Sequence, residues 1–430
     1  MIFWLFAQSA LAQSLLRDAD IEYGLKQLAA PILTAAGLGS THVKILVVDD
    51  SSLNAFVVST DAIFLNYGLI TRLESAAALQ GVIAHEAAHI ANGHLTRRMN
   101  NLASARTAAG FGMALAAVAA AAGSGGQAAF GIMMGTQSAA LRTFFKHTRA
   151  EESSADQSGV RYMAAAGVDP NGMTEVMRLF SGQELLSESR QDPYLRTHPL
   201  SRDRLRALDG YVAAYGGTLN DSANADYWFA RVKGKLSAYK RSPKWTMRQL
   251  STTPYKDVRL LREAVAEHRQ SRTKQALEAI DAAVAMRPND PFLHDQRGQI
   301  LLETRNFEAA VNAYARAVQI SPNDPLLLSG YGRALLATNN IKKAAQVLEK
   351  ARTIDFRDAI MLRDLSIAYA KSGEKGMASV VTAERYAVAG RLEDAGIHAK
   401  RAVDLLPRGS GPWQRAQDVL IASERAAKRR

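Results

Sequence analysis

The chain of 430 residues contains no cysteine. Disulfides, thiolate nucleophiles and cysteine-ligated metal sites are thereby excluded, and any metal must be held by nitrogen and oxygen. No long disordered tail is present, and no nucleic-acid-binding module accompanies the basic charge. That charge is +12, from 53 Lys and Arg against 41 Asp and Glu. It suits a solvated basic surface, anionic lipid or acidic protein partners, and nucleic acid is not expected.

Long apolar runs are also lacking. Residues 107–141 carry no charge and are rich in alanine and glycine, broken at Gly123-Ser124-Gly125-Gly126. A membrane-spanning helix needs about 20 strongly apolar residues, and the first half supplies about 16, mostly alanine. We expect a helical hairpin packed near the functional site or touching a membrane surface, with a double-spanning hairpin as the rival. At the start, Met1–Ala12 is apolar and ends Ala10-Leu11-Ala12, the small-x-small pattern of signal-peptidase cleavage. It is short and no basic residue precedes it. It reads as a signal peptide and hence export; otherwise it is an apolar helix on the core.

What remains divides in three. Residues 13–215 mix strand and helix patterns and should form an α+β domain. Strands are expected at 43–48, 54–58 and 62–65, then a helix from about Arg72 to His94, stopped by Asn92-Gly93. Residues 216–256 read as a linker or transition helix. From 257 to 430 the chain is helical, with a repeat of 34 residues. Ala276, Ala310 and Ala344 recur in register, as do Ala283, Ala317 and Ala351, Gly298 and Gly332, and Pro288 and Pro322. This is the pattern of tetratricopeptide repeats, an all-α solenoid of paired helices that docks protein partners. The register is expected to slip by half a unit and resume near Gly376, with Trp413 onward capping the stack.

One motif carries chemistry. His85-Glu86-Ala87-Ala88-His89 lies on a helix, where residues four apart are about 40° apart around the axis. Both imidazoles can therefore reach one ion. Zinc is the natural choice, because it lowers the pKa of a coordinated water to about 7. Glu86, beside that face, can take the water's proton and later deliver it to a leaving amine. A third histidine ten residues on is ruled out, because position 95 is leucine. His94 lies about 180° from His85 on an unbroken helix and is expected at the surface or as a cap. A carboxylate from a second helix is the alternative. Arg149, Glu152 and Asp156 fall within about 60° of arc, a costly stripe in a core unless it serves a site. Glu152 is assigned as third ligand, Asp156 as acceptor for a ligand imidazole's other N–H, and Arg149 as neutraliser of the excess negative charge.

HEAAH with the downstream R-x-x-E-x-x-A-D-x-x-G from Arg149 to Gly159 resembles the gluzincin family that includes HtpX and the CAAX prenyl proteases. Asn54-Ala55-Phe56 resembles that family's edge-strand motif, and Thr197-His198-Pro199 with Arg204 a further one. With the export signal and repeats, the resemblance covers nearly the whole chain. It implies a zincin-type metallopeptidase domain with one Zn²⁺ per chain, ligated by His85, His89 and Glu152 and served by Glu86. It further implies a periplasmic protease and chaperone of outer-membrane protein quality control. Its substrates would be unfolded or misassembled proteins, and its repeats would dock on an assembly complex. Asn54, Ala55 and Phe56 would bind substrate by strand addition, which tolerates many sequences. The resemblance places the His198 loop over the zinc. His198 is then either a fourth ligand that keeps the protease off or a donor to the oxyanion.

Overall fold

The computed structural model describes residues 15–39, 42–98, 148–183, 186–187, 190–215 and 219–427. The expected signal peptide and the uncharged hairpin of 107–141 lie outside these residues. Among the described residues no helix is long and apolar enough to cross a membrane.

Four strands form one sheet in the order β1 (Leu15–Leu16), β2 (Lys44–Val48), β4 (Ala62–Asn66), β3 (Ala55–Ser59). β4 runs parallel to β2 and antiparallel to β3. The alternation of side chains across a strand separates two apolar layers. Ile45, Val47, Val57, Ile63 and Leu65 join the main core. Leu46, Val48, Val58 and Phe64 form a second cluster with Phe56, which stacks on Phe64. β3 lies at the sheet margin, bulged between Val57 and Ser59.

α1 (Ala19–Ala35) and α3 (Ala76–Ala91) pack on the first layer, after the short α2 (Tyr67–Arg72). Ser75 caps α3 by accepting from the Ala78 N–H, and its hydroxyl donates to Glu175. α3 is apolar all round because every side of it is covered, and Leu79, Val82 and Ile83 are at most 1% exposed. Each such side chain contributes about 1.5–3 kcal/mol by burial. α4 (Arg149–Ala165) and α5 (Asn171–Leu179) lie against it. A Cβ on Gly172 would sit 2.2 Å from the Ala77 carbonyl oxygen, so the α3–α5 crossing demands glycine. α6 (Pro193–Thr197) and α7 (Arg202–Ala214) complete this part.

The segment expected as a linker or transition helix is helical and packs into both neighbours. α8 (Ala223–Lys240) places Phe229, Val232 and Leu236 in the main core and packs on α1. Its other face meets the first repeat. Arg231 and Lys235, each 1% exposed, sit between Asp18 and Asp20, the N-cap and first turn of α1, and Asp290 of the solenoid. These carboxylates hold Arg231 well above its usual range despite burial, and Lys235 above its own. Arg17 and Lys44 likewise meet Asp355 at 2.9 and 3.0 Å.

After α9 (Pro243–Arg248), the solenoid consists of α10 (Lys256–His268) with α11 (Thr273–Met286), α12 (Pro291–Glu303) with α13 (Phe307–Ile320), and α14 (Pro325–Ala337) with α15 (Ile341–Ile354). Then follow α16 (Ala359–Lys371) with α17 (Lys375–Val388), and α18 (Leu392–Leu405) with α19 (Gly411–Ala427). The expected slip does not occur: helices begin at 291, 325 and 359, and their partners at 307, 341 and 375. Asp290, Asp324 and Asp358 cap the first helices by accepting two backbone N–H groups each. Ser271, Arg305, Asn339 and Gly373 take positive φ at the intervening turns. The period is hidden in the fourth pair because Ser366 and Arg385 replace the small residues that mark earlier units.

Candidate metal centre

The two histidines and Glu86 come from the last turns of α3, and Glu152 from the start of α4. Gly159 lets the helices close: a Cβ there would lie 3.4 Å from the backbone nitrogen of His85 and 3.0 Å from Met173. Asn92, at the end of α3, donates to the hydroxyls of Ser154 and Ser158 on α4 at 3.1 and 3.2 Å. Thr148 and Glu151 form a capping box that fixes the first turn of α4 just ahead of Glu152.

His198 arrives from the other side. It closes α6, and Pro199 disfavours helical backbone at this position. Its ring stacks on buried Tyr194 with centroids 4.6 Å apart. Tyr194 N–H donates to the Leu53 carbonyl at 3.2 Å, joining this loop to the approach to β3.

Four buried donors converge. The Nε2 atoms of His85 and His89 are 3.1 Å apart. His198 Nδ1 lies 3.3 Å from His85 Nε2 and 3.0 Å from Glu152 Oε1. Glu152 Oε1 is 3.4 Å from His89 Nε2. All four residues are at most 2% exposed and offer ligand atoms within 4.8 Å of one another. Ligands about 2.05 Å from a tetrahedral centre are about 3.3 Å apart, so the edge lengths suit a small divalent cation. Proton placement says the same. Asp156 Oδ1 lies 3.0 Å from His85 Nδ1, which draws the ring proton there and leaves Nε2 with a lone pair. His89 Nδ1 meets His94 Nδ1 at 2.9 Å. With His89 as donor, two lone pairs face each other at 3.1 Å, an arrangement that a cation makes favourable.

His94 is thus not at the surface. Gly93 takes φ +68, α3 ends, and a new turn at 94–98 brings the imidazole back, 2% exposed. The break at Asn92-Gly93 was the available signal. Arg149 also departs from expectation. It is exposed in the first turn of α4, and the buried guanidinium is Arg204 of α7, 8% exposed. Arg204 reaches Glu152 Oε2 at 2.6 Å and both Asp156 oxygens at 2.5 and 2.8 Å, and donates to the Pro199 carbonyl. A planar fork spanning two carboxylates suits arginine. The cation had to come from an element facing the acids, not from the turn beneath them.

The electrostatics follow. Burial alone would depress His85, but Asp156 and Glu152 lift its pKa to about 9, so a cation at Nε2 would have to displace the second ring proton that these carboxylates favour. Burial lowers His89 well below the usual imidazole value. Burial would raise Glu152, yet Arg204 and His198 hold it well below the usual carboxylate range, and Asp156 is lowered chiefly by Arg204. Glu86, 0% exposed, is pushed up by burial. Among the described residues neither of its oxygens accepts a hydrogen bond, and His198 Nε2 lies 3.4 Å from Oε1. A buried carboxylate with no donor is poised to accept a proton from something that enters the site. Asn54 immediately precedes β3, Ala55 pairs with Leu65, and Phe56 pairs with Phe64. The three residues therefore lie along the strand at the sheet margin.

An HExxH helix under a small sheet, a carboxylate from the next helix and a trailing helical-repeat array define a metallopeptidase-type domain joined to a tetratricopeptide solenoid. Residues 16–212 match the Peptidase family M48 model, and residues 301–365 match the Tetratricopeptide repeat model. The chain is 29% identical over 251 residues to a protein of Vibrio cholerae named as a candidate beta-barrel assembly-enhancing protease, covering 53% of this chain and 50% of that one. It is 26% identical to the beta-barrel assembly-enhancing protease of Escherichia coli K12, covering 44% and 39%. The Yersinia pestis protein of that name is 25% identical, covering 53% and 46%. The chain spans half or less of the length of these relatives.

Proposed function

We propose that the protein is a zinc-dependent endopeptidase acting on unfolded or misassembled exported proteins. The observation that carries this is the meeting of His85, His89 and Glu152 beside the Glu86 carboxylate, which accepts no hydrogen bond among the described residues. His85, His89 and Glu152 would hold the ion, which when bound polarises a carbonyl and lowers the pKa of a water. Glu86 accepts the proton and returns it to the leaving nitrogen. Asp156 and His94 fix the two rings. β3 offers main-chain hydrogen bonds to an extended peptide, with Asn54, Ala55 and Phe56 at its start, which suits substrates defined by exposure more than by sequence. The relatives' name motivates a periplasmic location and docking of the repeats on an outer-membrane assembly complex. The uncharged stretch of residues 107–141 is the candidate for contact with a membrane surface.

The test is Glu86→Gln. It should leave bound zinc unchanged by elemental analysis and slow cleavage of an unfolded protein such as casein by about 10²–10⁴-fold. Unchanged cleavage would reject the peptidase reading.

One observation favours a second reading, that of a chaperone or assembly adaptor whose protease is self-restrained. His198 Nδ1 occupies the fourth corner of the donor set, where a catalytic site keeps an open position. His198→Ala should raise casein cleavage if the imidazole is a plug and lower it if it is an oxyanion donor. If Glu86→Gln still supports full cellular function, the binding role dominates.

A further inference from the structure

A cleft of about 1040 Å³ lies on the α8 side of the peptidase domain, away from the four-donor cluster. Ser51, Leu53 and Tyr67 form one wall, α8 the floor, and the segment from Trp245 to Tyr255 the other wall. Its charge is unbalanced. Arg72, Lys233, Lys240, Arg241 and Arg262 line it, against Glu74 and Asp226. Lys240 is engaged by Asp49 at 2.5 Å, and Arg241 lies over the Trp245 ring.

Lys233 and Arg262 are different. Arg262 is only 7% exposed, and its Nε has no hydrogen-bond partner. One Nη donates to the Thr253 hydroxyl, and among the described residues no carboxylate lies within ion-pair distance. Burial lowers its pKa with no opposing group. Lys233 donates to the Leu73 carbonyl at 2.5 Å and likewise has no ion-pair partner among the described residues. Burial lowers its pKa, which Glu74 and Glu175 only partly offset and Arg72 and Arg262 reinforce, so the uncompensated cation of the cleft is Arg262. The arginine is deliberately seated: a Cβ on Gly234 would lie 3.0 Å from Arg262 Cδ, so glycine makes room for the stem. A nearly buried cation without a counter-charge is costly unless a ligand brings one.

Two features select the ligand. Glu74 and Asp226 in the same walls disfavour a dianion such as phosphate, whereas a single carboxylate meets a favourable net charge. Ser51 and Leu53, which line the cleft, lie in the chain just ahead of β3. Trp245 and Tyr67 supply flat apolar walls for a chain.

We infer that this cleft binds one carboxylate of an extended peptide between Arg262 and Lys233, either a chain's C-terminus or an Asp or Glu side chain. The inference rests on the peptide-binding reading of β3. It names a preference of that edge, for chains with an anionic group just beyond the strand.

The test uses the full chain carrying Glu86→Gln, so that binding is read without cleavage. Isothermal titration compares an N-acetylated apolar hexapeptide ending in a free carboxylate, the same peptide amidated, and the amidated peptide with one internal Glu. The free acid should bind about tenfold more tightly than the amide, the scale of one charge-assisted hydrogen bond. Tight binding of the internal-Glu peptide identifies a side chain as source, and weak binding identifies the terminus. Arg262→Gln should abolish the preference while leaving the amide's affinity unchanged, and Arg262→Lys should restore part of it. Lys233→Gln should weaken the preference without unfolding the chain. Equal binding of acid and amide overturns the inference, as does no binding of either, a preference that survives Arg262→Gln, or competition by inorganic phosphate stronger than by acetate. Loss of proteolysis alone does not touch it, so the two readings fail separately.

Discussion

His94 and Arg204 are the side chains whose work is done entirely through others. His94 fixes the ring of His89, so His94→Ala should reduce zinc affinity about 10–100-fold, measured by competition with a chromophoric chelator, with the fold retained by circular dichroism. Arg204 faces Glu152 and Asp156 together. Arg204→Ala leaves two buried carboxylates without their cation and should cost about 3–5 kcal/mol in a urea titration. Arg204→Lys should recover only part of this, because an ammonium cannot match both acids at once. Neither role was legible from spacing. His85, Glu86 and His89 could be read because helical geometry is local, and Glu152 with Asp156 because a charged stripe in an apolar setting needs a purpose. What Arg204 and His94 do depends on a helix crossing and a chain break, which no pattern within one element encodes.

Among elements, the repeats were visible wherever small residues mark helix contacts. Gly332 packs under Leu348, where a Cβ would approach within 2.4 Å. Gly332→Val should destabilise the solenoid by about 1–3 kcal/mol, read as an earlier unfolding transition, while cleavage of a short peptide persists. The fourth pair escaped because Ser366 and Arg385 stand at marker positions. The aspartate caps and the positive-φ turns kept the 34-residue count, but three of those turns use Ser271, Arg305 and Asn339, where sequence offers no glycine to notice. The packing of α8 is hidden for a different reason. Arg231 and Lys235 look like surface charges until Asp20 and Asp290 are brought around them from two distant segments.

Across the whole molecule, Asp355 is a pH-dependent joint. Burial would raise its pKa, but Arg17 and Lys44 hold it below the ordinary carboxyl value. A depressed acid contributes stability above its unfolded pKa and loses it as pH falls through the lower folded value. Asp355→Asn should therefore cost about 3 kcal/mol at neutral pH. The Tm gap between variant and parent should close below about pH 4. A gap that is constant with pH would show that the joint is not electrostatic.

The Asp20–Arg231–Asp290 cluster makes α8 common property of the first repeat and the sheet-bearing half. A solenoid anchored through a buried arginine is tied at its root to the peptidase half, so under the proposed function a client held along the repeats would reach Glu86 at a narrow range of offsets. Selection could then work as a ruler does, by the number of residues between grip and cut, with the identity of those residues left free.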